Sequence, residues 1–172
     1  IINKTKDSSV GLRQWQKALL AIIPAIPFMV INAGNSTMGV PFFGEVNFGV
    51  LYPLVLIPIG VFGASNMVNL LAGINGLEAG MGIIYSGMLG LYAFTHQRFE
   101  AAAIAVVVFT ALIAFFYYNR FPAKILPGDS LTYFLGASLA SIAIVGNIEK
   151  AALICSIPFI MEFFLKGRSG FK

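Results

Sequence analysis

Residues 66–78 read Asn66-Met67-Val68-Asn69-Leu70-Leu71-Ala72-Gly73-Ile74-Asn75-Gly76-Leu77-Glu78 and separate two long apolar runs. We call them the asparagine segment. A second polar stretch, the aspartate segment, follows two runs later and reads Tyr118-Asn119-Arg120-Phe121-Pro122-Ala123-Lys124-Ile125-Leu126-Pro127-Gly128-Asp129. If each run crosses a membrane, two crossings return the chain to the same face. The sequence therefore predicts that the two segments meet and that their amides, Lys124 and Asp129 form one polar site.

The composition is that of an integral membrane protein. Of the 172 residues, 58% are hydrophobic and only 10% are charged, and the mean hydropathy is +0.86, whereas soluble domains carry about 25% charged residues. The net charge of +4 comes from basic residues scattered at run ends, so we expect no nucleic-acid partner. A single Cys and a single His exclude a zinc site of the usual spacing.

The apolar runs predict an all-α, polytopic transmembrane bundle with about six spans. They lack the alternation of a barrel strand, so helices are favoured. Residues 35–47, which are punctuated by Gly and Pro, allow a small hairpin outside the membrane. The predicted spans cover residues 15–31, 48–65, 77–95, 99–118, 130–145 and 151–165.

The basic residues predict the orientation of these spans. Nine of the eleven fall on the side that holds the first segment, and only Arg98 and Lys150 fall on the other. This asymmetry predicts cytoplasmic loops at about 1–14, 66–78, 119–130 and 166–172. We read residues 1–172 as a single membrane domain that is truncated at both ends, because Ile1 and Lys172 both stand in loop-like sequence. The nine are Lys4, Lys6, Arg13, Lys17, Arg120, Lys124, Lys166, Arg168 and Lys172.

Asp129 has two interpretations. It follows Pro127-Gly128 and opens the fifth run, so it could cap the helix, which is a frequent role of Asp at that position. It could also bind Mg²⁺, which takes hard oxygen ligands and usually one or two carboxylates together with substrate phosphates.

The asparagines are similarly open to two readings. Asn66 and Asn69 are three residues apart and share one helix face. An amide can offer its oxygen to a metal and its edge to a uracil-like base, while Asn75-Gly76 also suits an ordinary turn. Gly73 would allow a ligand to approach the backbone closely.

Two charged residues near run ends, Lys17 and Glu162, are further candidates for the site. Lys17 could anchor the chain at the membrane interface beside Trp15, or it could hold a phosphate by its charge. Glu162 lies inside the sixth run, where a carboxylate either reaches the interface or lines the site.

At these residues the chain resembles a known family. The stretch 66–80, with Leu71-Ala72-Gly73-Ile74-Asn75-Gly76-Leu77-Glu78-Ala79-Gly80, resembles the hallmark loop of the polyprenyl-phosphate N-acetylhexosamine-1-phosphate transferases of glycosyl transferase family 4. Its form is similar to the archaeal and eukaryotic UDP-GlcNAc:dolichyl-phosphate branch. Residues 118–130 and 11–17 resemble the family's next cytoplasmic loop and the segment after its first acidic motif.

The resemblance implies an enzyme that transfers GlcNAc-1-phosphate from UDP-GlcNAc to dolichyl or another polyprenyl phosphate and releases UMP, using Mg²⁺ or Mn²⁺. It implies a setting in the lipid bilayer, with the active face cytoplasmic. An archaeal cell membrane is favoured over the endoplasmic reticulum, and a homodimer is compatible with the family. Carried over to this chain, the resemblance makes Asp129 and Lys17 catalytic, makes Asp129 and Asn69 the metal ligands, and assigns substrate binding to Asn66, Asn69, Gly73, Asn75, Lys124, Leu126 and Arg168.

The chain also departs from the family pattern. The family's paired aspartates are not in this sequence, Leu126 stands where relatives place an aromatic residue, and residues 167–171 lack the sugar-recognition motif. We therefore expect that these 172 residues alone do not turn over substrate. Two alternatives stay open, a transporter or channel subunit and a non-catalytic fragment.

Overall fold

The computed structural model describes residues 14–40, 44–70 and 76–168. Within them the chain forms eight α-helices, one π-helical turn and one two-stranded hairpin. In chain order these elements are α1 Gln14–Leu20, α2 Ala25–Val30, β1 Thr37–Val40, β2 Gly44–Asn47, the π-helical turn Tyr52–Leu56, α3 Ile57–Leu70, α4 Leu77–Thr95, α5 Phe99–Asn119, α6 Gly128–Gly146, α7 Glu149–Cys155 and α8 Ile157–Arg168.

Four helices in the described part of the chain are long and apolar enough to cross a membrane. They are Tyr52–Leu70, which joins the π-helical turn to α3, and the helices α4, α5 and α6. With 19 to 21 residues each and a rise of 1.5 Å per residue, they are about 28–32 Å long, which matches a bilayer core. The prediction of an all-α, polytopic membrane fold is confirmed.

The first and last predicted spans are not continuous helices. The chain leaves the helix at residues 21–24, between α1 and α2, and again at Ser156, between α7 and α8. Proline explains both interruptions, because Pro24 and Pro158 lack the backbone N–H that would continue the preceding turn. Pro24 occupies the N-cap of α2, and Pro158 lies in the first turn of α8, where a missing donor is tolerated.

Small residues allow the helices to approach closely. A Cβ added at Gly136 of α6 would lie 2.3 Å from the Cα of Ser65 in α3, and one at Gly90 of α4 would lie 3.0 Å from the Cβ of Ala105 in α5. The pairs α3–α6 and α4–α5 are the main packing pairs of the bundle. Backbone proximity of this kind is the usual basis of helix association in membranes.

The interhelical core lies between α4, α5 and α6. Tyr85 of α4 is buried, its hydroxyl donates to the carbonyl of Leu135 in α6 at 2.5 Å, and Phe159 of α8 packs edge-on against its ring at 6.3 Å. The single hydroxyl thus satisfies a backbone carbonyl inside an apolar cluster, where an unsatisfied polar group would be costly.

One end of the bundle holds the hairpin and the tight turns. The strands β1 and β2 pair antiparallel from Thr37 opposite Asn47 to Val40 opposite Gly44, which confirms the predicted hairpin. The hydroxyl of Tyr52 donates to Glu149 Oε1 at 2.7 Å and ties the π-helical turn to α7. This is the end that the basic-residue count places outside the cell.

The opposite end collects both polar segments. There α3 ends at Leu70, α4 begins at Leu77, α5 ends at Asn119 and α6 begins at Gly128. The predicted loop 66–78 is wrong at both ends, because α3 stays helical through Leu70 and α4 begins at Leu77. Residues 71–75 lie outside the described part of the chain. The fold therefore places the two segments at one end of the bundle, as the sequence predicts.

Candidate functional site

The centre of the site is an ion pair between α1 and α6. Lys17 Nζ lies 2.6 Å from Asp129 Oδ2, and the side chains retain 30% and 43% of their accessible surface. The two residues are 112 positions apart in the chain, so only the tertiary fold brings them together. An open pair of this kind contributes little to stability because water screens it, so its charges remain available to a ligand.

Asp129 is not a helix cap. Pro127 occupies the N-cap position of α6, and Asp129 lies in the first turn of the helix, with its carboxylate directed to Lys17. The interpretation of Asp129 as an N-cap is therefore wrong, because the helix begins at Gly128, two residues earlier than that role requires. Gly128, with φ of +60°, permits the turn into the helix. The N-terminal end of α6 favours the negative charge of Asp129.

Thr132 joins Asp129 to the asparagine segment. Its hydroxyl lies 2.6 Å from Asn69 Oδ1 and 2.9 Å from the backbone carbonyl of Asp129, and the residue is buried. The amide nitrogen of Asn69 faces the hydroxyl of Tyr133 at 3.5 Å. The ends of α3 and α6 are therefore linked at the predicted site. Thr132 was not among the residues predicted from the sequence, although its position one turn after Asp129 was a signal.

Asn66 is engaged elsewhere. Its amide nitrogen donates to the carbonyl of Phe62 at 2.8 Å, one turn earlier in α3. The structure thus brings Asn69 to Asp129 but uses the N–H donor of Asn66 within its own helix. Gly73 and Asn75 lie outside the described residues.

The structure places the remaining predicted residues in the loop before α6 and in α8. Lys124 and Leu126 are exposed in the loop that precedes α6, and Leu126 keeps 71% of its accessible surface. Arg168 is exposed at the end of α8, and Glu162 is half-buried one and a half turns before it. Lys124, Leu126 and Arg168 are accessible to a ligand, and their roles in substrate binding stay predictions.

An apolar groove opens beside the ion pair. It has a volume of about 1020 Å³ and extends from Lys17 and Asp129 along α6 to Ser141, with α2 and α5 as its other walls. Its lining is mostly apolar and includes Phe28, Val107 and Phe134. The site therefore combines a charged mouth with an apolar body.

Asp129 and Asn69 together offer a hard cation only part of the oxygen ligands that it needs. Asp129 provides a carboxylate, and Asn69 provides an amide oxygen that already accepts from Thr132 and keeps a second lone pair. Among the described residues no three His, Cys, Asp or Glu side chains cluster as a metal site. Mg²⁺ held here would need further oxygens, which substrate phosphates commonly supply.

Comparisons with known proteins identify the family of the chain. The family model for glycosyl transferase family 4 matches residues 5–147. A protein of Saccharolobus solfataricus, provisionally named UDP-N-acetylglucosamine–dolichyl-phosphate N-acetylglucosaminephosphotransferase, is 40% identical over 96% of this chain and 52% of its own length. Its counterpart of the same name in Sulfolobus acidocaldarius is 33% identical over 96% and 51%.

Bacterial relatives are similar over nearly the same region. The phospho-N-acetylmuramoyl-pentapeptide-transferase of Lactobacillus helveticus is 36% identical over 90% of this chain and 48% of its own length. The chain thus spans about half the length of the curated relatives that it matches. The family match covers most of the chain, including α1, α3, α6 and the ion pair between them, and the chain therefore belongs to glycosyl transferase family 4.

Proposed function

We propose that the protein carrying this chain transfers GlcNAc-1-phosphate from UDP-GlcNAc to dolichyl or another polyprenyl phosphate and releases UMP. The names of the two archaeal relatives support the substrates. The observation that carries the proposal is the Lys17–Asp129 pair, which is joined through Thr132 to Asn69 and lies at the mouth of an apolar groove.

In this reaction an oxygen of the lipid phosphate attacks the β-phosphorus of UDP-GlcNAc. The bond between that phosphorus and the oxygen bridging it to UMP breaks, UMP leaves with the electron pair, and a lipid-linked sugar diphosphate forms. Phosphoryl transfer depends mainly on positioning and on the neutralisation of charge. Lys17, an ammonium on a flexible stem, supplies one positive charge that a phosphate can take over from Asp129.

Asp129 and Asn69 are the residues that would hold Mg²⁺ or Mn²⁺ in our proposal. A bound divalent cation would supply charge neutralisation at the diphosphate. When a phosphate draws Lys17 away, Asp129 Oδ2 loses its partner at 2.6 Å and becomes available as an oxygen ligand. The hydroxyl of Thr132 orients the amide oxygen of Asn69 toward the start of α6.

The groove suits an amphiphilic acceptor. From Asp129 to Ser141 the wall formed by α6 spans twelve residues, or about 18 Å along the helix axis. A phosphate at the mouth would lie beside Lys17, and an isoprenoid chain would extend along the apolar lining. This arrangement satisfies both ends of a lipid phosphate.

We place the active face in the cytoplasm and the protein in an archaeal cell membrane. The topology predicted from the sequence assigns nine of the eleven basic residues to the side of the ion pair, in keeping with the positive-inside pattern, and the two relatives named above are archaeal. A homodimer and the exact lipid are further predictions.

The positions of charges argue against a transporter. Within the spans α4, α5 and α6, the acidic residues Glu78, Glu100 and Asp129 all lie in the first turn, and these three helices contain no Lys or Arg. A transport pathway typically places ionisable groups deep in the membrane. Catalysis at the membrane face requires none there.

The experiment is an assay of UMP release from UDP-GlcNAc with a polyprenyl phosphate and Mg²⁺, using the complete natural protein. We expect Asp129→Asn to lower turnover about 100-fold or more with an unchanged folded yield. Glu100→Gln is the matched control, because Glu100 also lies in the first turn of a helix, at the opposite end of the bundle. Near wild-type turnover in Asp129→Asn would contradict the proposal.

A further inference from the structure

Asn119 is a buried amide between the two polar segments that no step above uses. It is the last residue of α5, and none of its surface is accessible. Its amide nitrogen donates to the carbonyl of Ile125 at 2.9 Å. Burial of an asparagine side chain costs free energy unless its polar atoms are hydrogen-bonded.

The loop that Asn119 closes has little else to hold it. Between Arg120 and Leu126 most side chains are exposed, and Phe121 keeps 83% of its accessible surface. The backbone N–H groups of Lys124 and Ile125 donate to the carbonyl of Tyr118 at 2.8 and 3.4 Å. The loop is therefore held to the end of α5 by hydrogen bonds rather than by burial of apolar surface.

This loop leads directly into the site. Ile125 precedes Asp129 by four residues, and two of the residues between them are Pro127, whose φ is fixed near −66°, and Gly128. The carbonyl of Ile125 is thus the anchored start of a short connection that ends at the carboxylate beside Lys17. Because only three residues separate Ile125 from Asp129, release of Ile125 would leave the position of Asp129 less constrained.

Asn119 also borders the asparagine segment. A Cβ placed on Gly76, which precedes α4, would lie 3.5 Å from the Cα of Arg120 and 3.8 Å from the backbone oxygen of Asn119. Among the described residues, no donor reaches the buried side-chain oxygen of Asn119. The residue thus stands where the ends of both segments pack together.

We propose that Asn119 is a positioning residue for the transfer reaction, which holds the loop 120–127 through the carbonyl of Ile125 and so places Asp129 opposite Lys17 and Asn69. The inference rests on the proposed function. It differs from a role in folding, because loss of the amide should release one loop and leave the bundle intact.

The first test reads the loop directly. In the complete protein in detergent, trypsin cuts after Lys124, in the loop, and after Arg98, in the turn at the opposite end. We expect Asn119→Ala, and Asn119→Leu with the same number and branching of side-chain heavy atoms as Asn, to speed cleavage after Lys124 about tenfold or more and to leave cleavage after Arg98 unchanged. Unchanged cleavage after Lys124, or faster cleavage at both sites, would overturn the proposal.

The second test separates positioning from substrate binding. We expect both variants to lower kcat for UMP release about 10- to 100-fold while the KM for UDP-GlcNAc changes less than about threefold. Asn147→Gly, which removes an amide at the far end of α6 and keeps its positive φ of 50°, should match wild type. If trypsin cleaves faster after Lys124 in a variant whose kcat stays at the wild-type value, Asn119 does not position the site. If the wild-type protein releases no UMP, the proposed function fails, while the proteolysis still decides whether Asn119 holds the loop.

Discussion

At the scale of single residues, the site depends on which cation neutralises Asp129. Lys17 occupies one carboxylate oxygen at 2.6 Å, so a metal ion and the ammonium compete for the same atom. Opposite charges at such distances interact appreciably even when water screens them. Lys17 thus has two effects, since it disfavours a second cation and favours a phosphate.

Substitution of Lys17 should separate these two effects. We expect Lys17→Met to tighten Mn²⁺ binding about three- to tenfold, because a positive charge beside Asp129 is removed, and to weaken UDP binding. Electron paramagnetic resonance of free Mn²⁺ measures the first, and calorimetry with UDP the second. Lys150→Met is the control, because Lys150 lies in the first turn of α7, at the opposite end of the bundle. Weaker Mn²⁺ binding in Lys17→Met would show that Lys17 supports the cation instead of competing with it.

The hydroxyl of Thr132 should affect both stability and UDP binding, because it links Asn69 to the backbone of Asp129. We expect Thr132→Val to lower the free energy of unfolding by about 0.5–1.5 kcal/mol, because it leaves the amide oxygen of the half-buried Asn69 without its hydroxyl donor, and to weaken UDP binding. The matched control is Thr110→Val, since Thr110 is exposed and its hydroxyl contacts only carbonyls of its own helix. Thermal unfolding in detergent provides the comparison, and equal shifts in both variants would count against a bridging role.

At the scale of elements, the close approach of α3 and α6 positions Asn69 against Thr132. That approach depends on Gly136, where a Cβ would meet the backbone of Ala64 and Ser65 at 2.3–2.6 Å. Backbone cannot yield as a flexible side chain can, so the helices would have to separate.

A pair of glycine substitutions tests this dependence. We expect Gly136→Ala to destabilise the protein by about 1–3 kcal/mol and to lower UDP affinity. Gly63→Ala in α3, where nothing lies within 4 Å of an added Cβ, should be neutral or stabilising by up to about 1 kcal/mol. Thermal unfolding with and without UDP measures both quantities, and a Gly136→Ala protein as stable as Gly63→Ala would refute the close contact.

The helices themselves were largely predictable from sequence. The bounds 77–95 predicted for α4 coincide with those observed, and α5 and α6 differ from the prediction by one or two residues at an end. Long apolar runs between polar punctuation determine such bounds strongly. Pro24 and Pro27 predict a kink in the first run, and the structure interrupts the helix at residues 21–24. The interruption at Ser156 was missed, because hydrophobicity continues through it and only Pro158 marks the break.

The site was predictable only in part. The meeting of the two segments followed from an even number of crossings, and the close approach of Gly76 to Asn119 and Arg120 agrees with that expectation. The roles of Thr132 and Asn119 depend on side-chain directions and burial, which spacing alone does not determine. Of the two interpretations of Asp129, the helix cap failed because the helix starts at Gly128, two residues before the start that a cap at Asp129 requires.

At the scale of the whole molecule, the fold separates two ends. One end carries the hairpin and the Tyr52–Glu149 hydrogen bond. The other carries Lys17, Asp129, Asn69 and the mouth of the groove. We expect the second end to face the cytoplasm, where most basic residues lie, so that a soluble nucleotide sugar and a membrane lipid can meet there.

Cysteine labelling from each side of the membrane, with and without substrate, tests this central claim most directly. In a Cys155→Ala background, Ser130→Cys reports on the site, since Ser130 is exposed and lines the groove, and Gln97→Cys reports on the opposite end. An impermeant maleimide should reach residue 130 only from the cytoplasmic side, UDP-GlcNAc with Mg²⁺ should slow that reaction, and residue 97 should react only from outside without protection. Labelling of residue 130 from outside, or at a rate that UDP-GlcNAc leaves unchanged, would contradict a single cytoplasmic site formed by the two polar segments.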